Sequence, residues 1–253
     1  QLELNRRSIR HQISDIERQL KIVEKTRSTI RDKRLESTVF KIGLIGYTNA
    51  GKSTLMNRLT DNGQYEADEL FATLNATTKQ IYLKDQFQAT LTDTVGFIQD
   101  LPTELVAAFK STLEESRHVD LLLHVIDASD SNHAEQEQVV LDILQDLDML
   151  QIPRLAIYNK MDQTDNLLAT VFPNIRISLK NPDSRQSLRR QILDEIEQIF
   201  LPFSIKVGPD KLYKLHDLSK FALLDPYDYN QASPEVSGFI AEKNKWRLEE
   251  FYD

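Results

Sequence analysis

Hydrophobic and polar positions alternate along most of the chain with periods that predict strands and helices in turn. Short apolar runs predict strands at 39–45, 79–83, 87–92, 120–127, 154–158 and 174–177. Stretches with a helical period lie between or after these runs, at 52–60, 102–115, 133–150 and 184–199. The alternation predicts an α/β fold, a doubly wound and mostly parallel sheet with 79–83 as its antiparallel edge.

The pattern changes near residue 200. Leu201-Pro202 has the character of a boundary, and a strand at 203–207 and a helix at 209–224 are predicted after it. A mostly polar segment without a predicted helix or strand then leads back to Trp246 and Phe251. We therefore expect one main domain over residues 38–200 and a small α+β C-terminal domain over residues 201–253.

Residues 1–36 have the pattern of one long, coiled-coil-like helix. Its apolar positions alternate in steps of four and three, with arginines where the pattern lapses, and comprise Leu2, Ile9, Ile13, Ile16, Leu20, Val23 and Ile30. Such a seam has to be buried, and the chain passes directly from it into a strand. We expect a partner arm upstream, so that 1–37 is a helical arm of a longer protein. A helix that folds back on the main domain, or pairs between two chains, is the alternative.

Charge is distributed unevenly along the 253 residues. Residues 1–38 carry ten Lys or Arg and six acidic residues, a net charge of +4. Because the whole chain has a net charge of −8, residues 39–253 carry −12. An acidic body argues against broad contact with nucleic-acid phosphates, whereas a basic arm is compatible with RNA. The chain has no cysteine and no apolar run long enough for a membrane span. We expect a monomeric cytoplasmic protein.

Residues 46–53 match the phosphate-binding pattern G-x-x-x-x-G-K-[ST] in full. The motif follows a predicted strand and opens a predicted helix, so backbone N–H groups and the helix N-terminus can surround a phosphate. Lys52 is expected to bridge the β- and γ-phosphates, and the Ser53 hydroxyl to bind Mg²⁺. The predicted binding residues here are Gly46, Tyr47, Thr48, Asn49, Ala50, Gly51, Lys52, Ser53 and Thr54.

A second motif, Asp93-Thr94-Val95-Gly96, follows the strand predicted at 87–92. The Asp93 carboxylate is expected to reach the magnesium ion, usually through water, and the Gly96 N–H to bond the γ-phosphate. A D-x-x-G sequence is weak evidence alone, but it lies about 40 residues after Lys52, which strengthens the assignment. Asp93, Thr94, Val95 and Gly96 are therefore predicted site residues.

The third motif, Asn159-Lys160-Met161-Asp162, follows an apolar strand and predicts which base is bound. Guanine presents N1–H and N2–H₂, which one carboxylate accepts together, whereas adenine has no 2-amino group. Asp162 therefore favours guanine, because the wrong base would leave its charge unpaired. Asn159 is expected to support the loop and the Lys160 stem to pack along the base.

Two weaker signals complete the predicted site. Ser178-Leu179-Lys180 follows a strand and offers a backbone N–H to guanine O6. Between the first helix and the edge strand, a threonine is expected to complete the magnesium shell and sense the γ-phosphate. We choose Thr73, with Thr77 and Thr78 as alternatives, since threonine is also common at strand starts. The predicted contacts in this loop are Phe71, Ala72, Thr73, Leu74 and Asn75.

Together these segments resemble the translation-factor class of GTPases and, within it, the HflX family. The resemblance rests on GYTNAGKS at 46–53, FATL at 71–74, DTVGF at 93–97 and LPTELVAAFKSTLEE at 101–115. It implies that residues 1–36 are the second arm of a helical hairpin, preceded by a glycine-rich domain. It also implies binding to the large ribosomal subunit, both protein and rRNA, and a link to splitting or rescue of stalled or idle ribosomes.

The chain departs from the family pattern at two places. Asn75-Ala76-Thr77-Thr78 stands where members commonly have D-P-T-T, and losing the proline is expected to loosen this loop. Leu179 stands where alanine is usual, which puts a bulkier residue beside guanine. The base contact is a backbone one, so we expect it to survive.

Catalysis is expected to depend on Lys52, Thr73 and Gly96, with a low intrinsic rate. Many GTPases place a glutamine directly after D-x-x-G to orient the attacking water, but this chain has Phe97. Asn49 occupies the position that binds a potassium ion in related potassium-dependent GTPases, and whether K⁺ joins Mg²⁺ here is left open. A nucleotide-controlled switch is favoured over a turnover-driven RNA remodeller. A ribosome-assembly or tRNA-modification GTPase is the alternative within the fold.

Overall fold

The computed structural model describes residues 38–60, 77–93, 118–164, 169, 171–228, 231 and 233–252. These residues belong to one compact unit that begins at Thr38. The predicted helices at 1–36 and 102–115 lie outside the described residues. No helix in the described part of the chain is long and apolar enough to cross a membrane.

The centre of the fold is a six-stranded sheet. Its strands in chain order are β1 Phe40–Ile45, β2 Thr77–Tyr82, β3 Gln88–Asp93, β4 Leu121–Asp127, β5 Arg154–Asn159 and β6 Asn174–Arg176. They are arranged β2-β3-β1-β4-β5-β6, and only β2 runs antiparallel to its neighbour. The mostly parallel sheet with β2 as its antiparallel edge is confirmed.

In the described part of the chain, three helices accompany these strands: α1 Lys52–Leu59, α2 His133–Asp146 and α3 Ser184–Ile199. In α3, apolar residues every fourth position (Leu188, Ile192 and Ile196) are fully buried against the sheet. Truncating one of them to alanine would cost about 2–5 kcal/mol through lost burial and an unfilled cavity. The prediction for α3 is confirmed, and α2 ends four residues earlier than predicted.

The C-terminal part forms a separate antiparallel sheet. Its strands are β7 Leu201–Lys206, β8 Ala222–Leu224 and β9 Glu235–Ile240, in the order β7-β9-β8. Short helical pieces complete it, namely a 3₁₀ turn Leu212–Lys214, α4 Leu215–Leu218 and a 3₁₀ segment Glu242–Phe251. This part closes over a core of its own that includes Ile205, Val236 and Ile240.

The prediction of one helix at 209–224 is wrong. Leu212, Leu215 and Leu218 have helical spacing, but the helix stops after Leu218. Ala222 then pairs with Ile240 in the sheet, and this long-range pairing overrides the local pattern. The polar segment predicted after it contains a strand that was not predicted. This strand is β9, in which every second residue, Val236, Gly238 and Ile240, is buried.

Candidate nucleotide-binding site

The predicted motifs meet at the carboxyl edge of the parallel sheet. Gly46 follows β1, Asp93 ends β3, and Asn159 ends β5. β1 lies between β3 and β4, so the chain runs from β1 to β2 and β3 on one side of it and then from β3 to β4 on the other side. Ligands of open α/β sheets bind outside the carboxyl ends of the strands at such a switch point.

The two glycines of the 46–51 loop are required by close contacts. Gly46 and Gly51 have φ angles of 145° and 105°, where other residues are strained. A Cβ at Gly46 would lie 2.2 Å from the Val125 carbonyl oxygen, and one at Gly51 would lie 2.3 Å from Nδ2 of Asn159. The loop is therefore pressed against β4 on one side and against the third motif on the other.

The buried Lys52 side chain is hydrogen-bonded to the backbone of this loop. Its ammonium donates to the carbonyl oxygens of Gly46, at 2.9 Å, and Tyr47, at 2.8 Å. An ammonium has three N–H donors, and these two bonds use two of them, so the third can donate to a phosphate. Burial lowers the pKa of Lys52 to about 8, and the Asp93 carboxylate opposes that shift. A negatively charged ligand nearby would raise the pKa again and favour the protonated amine.

Ser53 and Asp93 form the predicted magnesium pair. The Ser53 hydroxyl donates to Asp93 Oδ2 at 3.3 Å, and the aspartate is 2% exposed. A hydroxyl and a carboxylate are hard oxygen ligands, and Mg²⁺ commonly takes one or two protein oxygens together with waters and phosphates. The donor set therefore fits this metal.

Asn159 connects three segments of the site. Its Nδ2 donates to the Ala50 carbonyl at 2.9 Å, and its Oδ1 accepts from the Leu179 N–H at 3.0 Å. The side chain is 4% exposed, so both bonds are made away from solvent. One amide thus links the phosphate loop with both predicted base-binding loops.

Lys160 and Asp162 flank the space expected for the base. Lys160 adopts a left-handed backbone conformation, and its ammonium lies 2.7 Å from Asp127 Oδ2. Asp162 is exposed, with the Lys180 ammonium at 3.6 Å. The Ser178 hydroxyl lowers the pKa of Asp162 by hydrogen bonding to its carboxylate, and Lys180 adds to this. The carboxylate is therefore held in the acceptor form that guanine needs.

The 178–180 loop differs from expectation in how its backbone is used. The Leu179 N–H is engaged by Asn159, so an O6 contact from it must be shared. Among the described residues, the Lys180 N–H makes only a long 3.3 Å bond, to the Ser178 hydroxyl. The Leu179 side chain is 2% exposed and packs in the main core with Ala50, rather than standing free beside the base.

The other predicted residues that the structure describes differ in how far their side chains are exposed and what they contact. Tyr47 packs into the core beside α2 with Val140, so its ring is occupied there. Asn49 is exposed and has a φ of 60°. The alternative Thr78 hydroxyl pairs with Thr92 across the strands at 3.0 Å. Thr48 and Thr54 are partly buried, and Met161 packs against a small cluster at β5.

Several predicted residues lie outside the described part of the chain. They are Phe71, Ala72, Thr73, Leu74, Asn75, Thr94, Val95, Gly96 and Phe97.

Sequence reasoning missed two side chains that brace the site. Asp127 ends β4 beside Asn159 in the sheet register and orients Lys160. The sequence does contain a signal for Asp127, because it is an acidic residue at the end of an apolar run, as Asp93 is. Arg58 in α1 donates to the carbonyls of Leu179 and Lys180. No local pattern indicates that contact.

The chain matches known proteins in sequence. Residues 41–160 match the family described as a 50S ribosome-binding GTPase. The GTPase HflX of Alkalihalophilus pseudofirmus is 44% identical over 213 residues, 83% of this chain and 50% of that protein. The GTPase HflX of Caldanaerobacter subterraneus subsp. tengcongensis is 37% identical over 254 residues, 99% of this chain and 58% of that protein. The chain thus spans about half the length of the curated relatives it matches.

A solved structure is similar in fold. It is a GTP-binding protein from the hyperthermophilic archaeon Sulfolobus solfataricus in complex with GDP. The TM-score is 0.52 at 27% sequence identity, over 71% of this chain and 57% of that one. The P-loop GTPase fold expected from the motifs is therefore confirmed.

Proposed function

The chain belongs to the HflX family of GTPases, and from this premise we propose that it binds GTP with Mg²⁺ and hydrolyses it slowly. The observation that carries the proposal is the Asn159 bridge from Ala50 to Leu179. It joins a phosphate cradle to a base-reading loop, so that one nucleotide can occupy both. Asp162, exposed and charged, supplies the preference for guanine over adenine.

Each site residue has a defined role in this proposal. Lys52 compensates the negative charge of the β- and γ-phosphates. Because the side chain is buried, this attraction acts in a low dielectric and is stronger than it would be in water. Ser53 and Asp93, with Thr73, would hold Mg²⁺, which would neutralise phosphate charge. Gly96 donates its N–H to the γ-phosphate. Because catalysis here rests on positioning and charge, no general base among the side chains is required.

The rate is expected to be low for the isolated chain. Phe97 follows the second motif and has no hydrogen-bonding group to orient the attacking water. Asn49, whose exposed side chain projects from a left-handed turn of the phosphate loop, is proposed to bind K⁺ beside the phosphates. K⁺ would then supply part of the charge that an arginine finger supplies elsewhere.

The rate and the cation have one direct test. GTP hydrolysis is measured in equal concentrations of KCl and NaCl, with the wild type and Asn49→Ala. We expect turnover well below one per second, faster in KCl for the wild type and equal in both salts for the variant. Equal wild-type rates in the two salts contradict the K⁺ role, and turnover near one per second contradicts slow hydrolysis.

We further propose that the large ribosomal subunit is the partner, with a link to splitting or rescue of stalled or idle ribosomes. The match of residues 41–160 to a 50S ribosome-binding GTPase family supports the partner. The basic residues of 1–38 are suited to contact with rRNA phosphates. A role in ribosome assembly or tRNA modification is the second candidate for a GTPase of this fold.

Sedimentation with separated ribosomal subunits tests the partner. The chain is centrifuged with 50S or 30S subunits in GDP, GTP or a non-hydrolysable GTP analogue. We expect co-sedimentation with 50S that is strongest with the analogue, and faster GTP hydrolysis when 50S is added. Failure to bind 50S in every nucleotide state would remove the ribosomal proposal and leave the GTP proposal intact.

A further inference from the structure

An arginine at the end of α1 reaches the loop that follows β6. Arg58 Nε donates to the Leu179 carbonyl at 2.9 Å, and its Nη2 donates to the Lys180 carbonyl at 3.2 Å. These partners are 121 and 122 residues away in the chain. The planar guanidinium suits two neighbouring carbonyls, since its donors form a fixed fork that an ammonium does not have.

The contact constrains the peptide unit between Leu179 and Lys180. The Leu179 carbonyl and the Lys180 N–H belong to the same planar peptide unit and point in opposite directions. A donor that holds the carbonyl toward α1 therefore turns the Lys180 N–H away from α1. Within the part of the chain that the structure describes, that N–H makes only the long 3.3 Å bond to Ser178 Oγ, whereas the Leu179 N–H is engaged by Asn159.

The same loop is fixed on its other sides. The Leu179 side chain is buried in the main core, and the Asn159 amide holds its N–H. Arg58 supplies the remaining restraint, on the carbonyl side. Since α1 also carries Lys52 and Ser53 at its start, the arginine ties the phosphate-binding helix directly to the base-reading loop.

We propose that Arg58 is a positioning residue for guanine recognition, which orients the Leu179–Lys180 peptide so that its N–H can bond guanine O6. This inference rests on the proposed function and names a determinant of base affinity within it. Without the arginine, the carbonyl side of this peptide loses its restraint, and part of the cost of ordering it has to be met when the O6 bond forms.

The test is the affinity of Arg58→Ala for GDP and two analogues, measured by competition with a fluorescent GDP. Inosine diphosphate keeps O6 but lacks the 2-amino group, and 6-thioguanosine diphosphate keeps N1–H and N2–H₂ but has a weak sulfur acceptor at position 6. We expect roughly tenfold weaker binding of GDP and of inosine diphosphate, as for loss of a charge-assisted hydrogen bond. The loss for the 6-thio analogue should be much smaller.

Arg189→Ala is the matched control. Arg189 in α3 likewise donates to two neighbouring carbonyls, those of Tyr82 and Leu83, at the opposite end of the sheet. It should leave all three affinities unchanged, whereas Arg58→Lys should restore part of the GDP affinity by serving one carbonyl. Thermal unfolding identifies any variant that does not fold, and Arg58→Lys then carries the test.

The outcomes separate this inference from the function on which it rests. If the wild type does not prefer GDP to ADP, the proposed function fails. If it does, and Arg58→Ala binds GDP normally or loses the same factor for all three ligands, only the positioning role is overturned. An equal loss in Arg189→Ala would show a general effect of removing a carbonyl clamp and would also overturn it.

Discussion

The two ends of the central sheet are built in opposite ways. At the carboxyl end, Gly46, Asn49, Gly51 and Lys160 all have positive φ angles, and the Lys52 ammonium is buried on backbone carbonyls. The left-handed backbone of Asn49 and Lys160 and the burial of the Lys52 charge each cost free energy, and such costs are typical of sites that bind a ligand.

The amino end is closed by ordinary side-chain contacts. Lys243 pairs with Asp120 at 2.7 Å, and the Asn244 amide donates to the Thr38 carbonyl at 2.8 Å. Both side chains come from the 3₁₀ segment 242–251, and they fasten the C-terminal part to the residues just before β4 and β1. The comparison indicates that a lysine at the carboxyl end of the sheet is placed to bind a ligand, whereas a lysine at the amino end stabilises the fold.

A pair of lysine variants gives the largest expected contrast. Lys52→Ala should weaken GTP binding by about 2–5 kcal/mol, because phosphate charge loses its buried partner. Lys243→Ala removes a partly exposed ion pair and should change unfolding by less than about 1 kcal/mol, with GTP affinity unaltered. Calorimetric titration and urea unfolding measure the two quantities. A loss of GTP affinity in Lys243→Ala would mean that the two ends are coupled.

Asn244→Ala should have an intermediate effect, confined to stability. The side chain is 2% exposed, and its removal leaves the Thr38 carbonyl without this donor. We expect the free energy of unfolding to fall by about 1–3 kcal/mol, with the GTP dissociation constant measured at low temperature unchanged. If stability were unchanged instead, the junction at Thr38 would contribute nothing to folding.

The smallest effect at mild pH is expected from His124, a fully buried residue of β4. Burial, then Arg154 and Lys52, lower its pKa to about 3 from an ordinary value of 6.5. The unfolded chain binds a proton more readily, so the stabilisation is complete above pH 6.5 and is lost as pH falls toward 3. Compared with His124→Leu, the wild type should lose on the order of 1 kcal/mol per pH unit below 6.5.

Acid unfolding of both proteins, followed in urea at several pH values, measures this difference. Parallel pH profiles for the wild type and His124→Leu would show that His124 is not held neutral by its surroundings.

Local sequence was a good guide wherever neighbouring residues decide the structure. The strand-loop-helix around 46–53 and the helix at 184–199 were predictable, because apolar spacing and glycine positions act over a few residues. The chain after Leu218 was not, since Ala222 pairs with Ile240 in preference to continuing the helix. Leu179 was expected beside the base, but packing draws its side chain into the core.

The sequence by itself therefore determined the alternating α/β fold and the order of the motifs, because both follow from short-range periods and backbone sterics. Only the tertiary structure decided how the motifs are joined. The bonds from Asn159 to Ala50, from Lys160 to Asp127 and from Arg58 to Leu179 connect residues 109, 33 and 121 positions apart. Such contacts depend on which strand ends and helices pack together, and no local pattern along the chain encodes that.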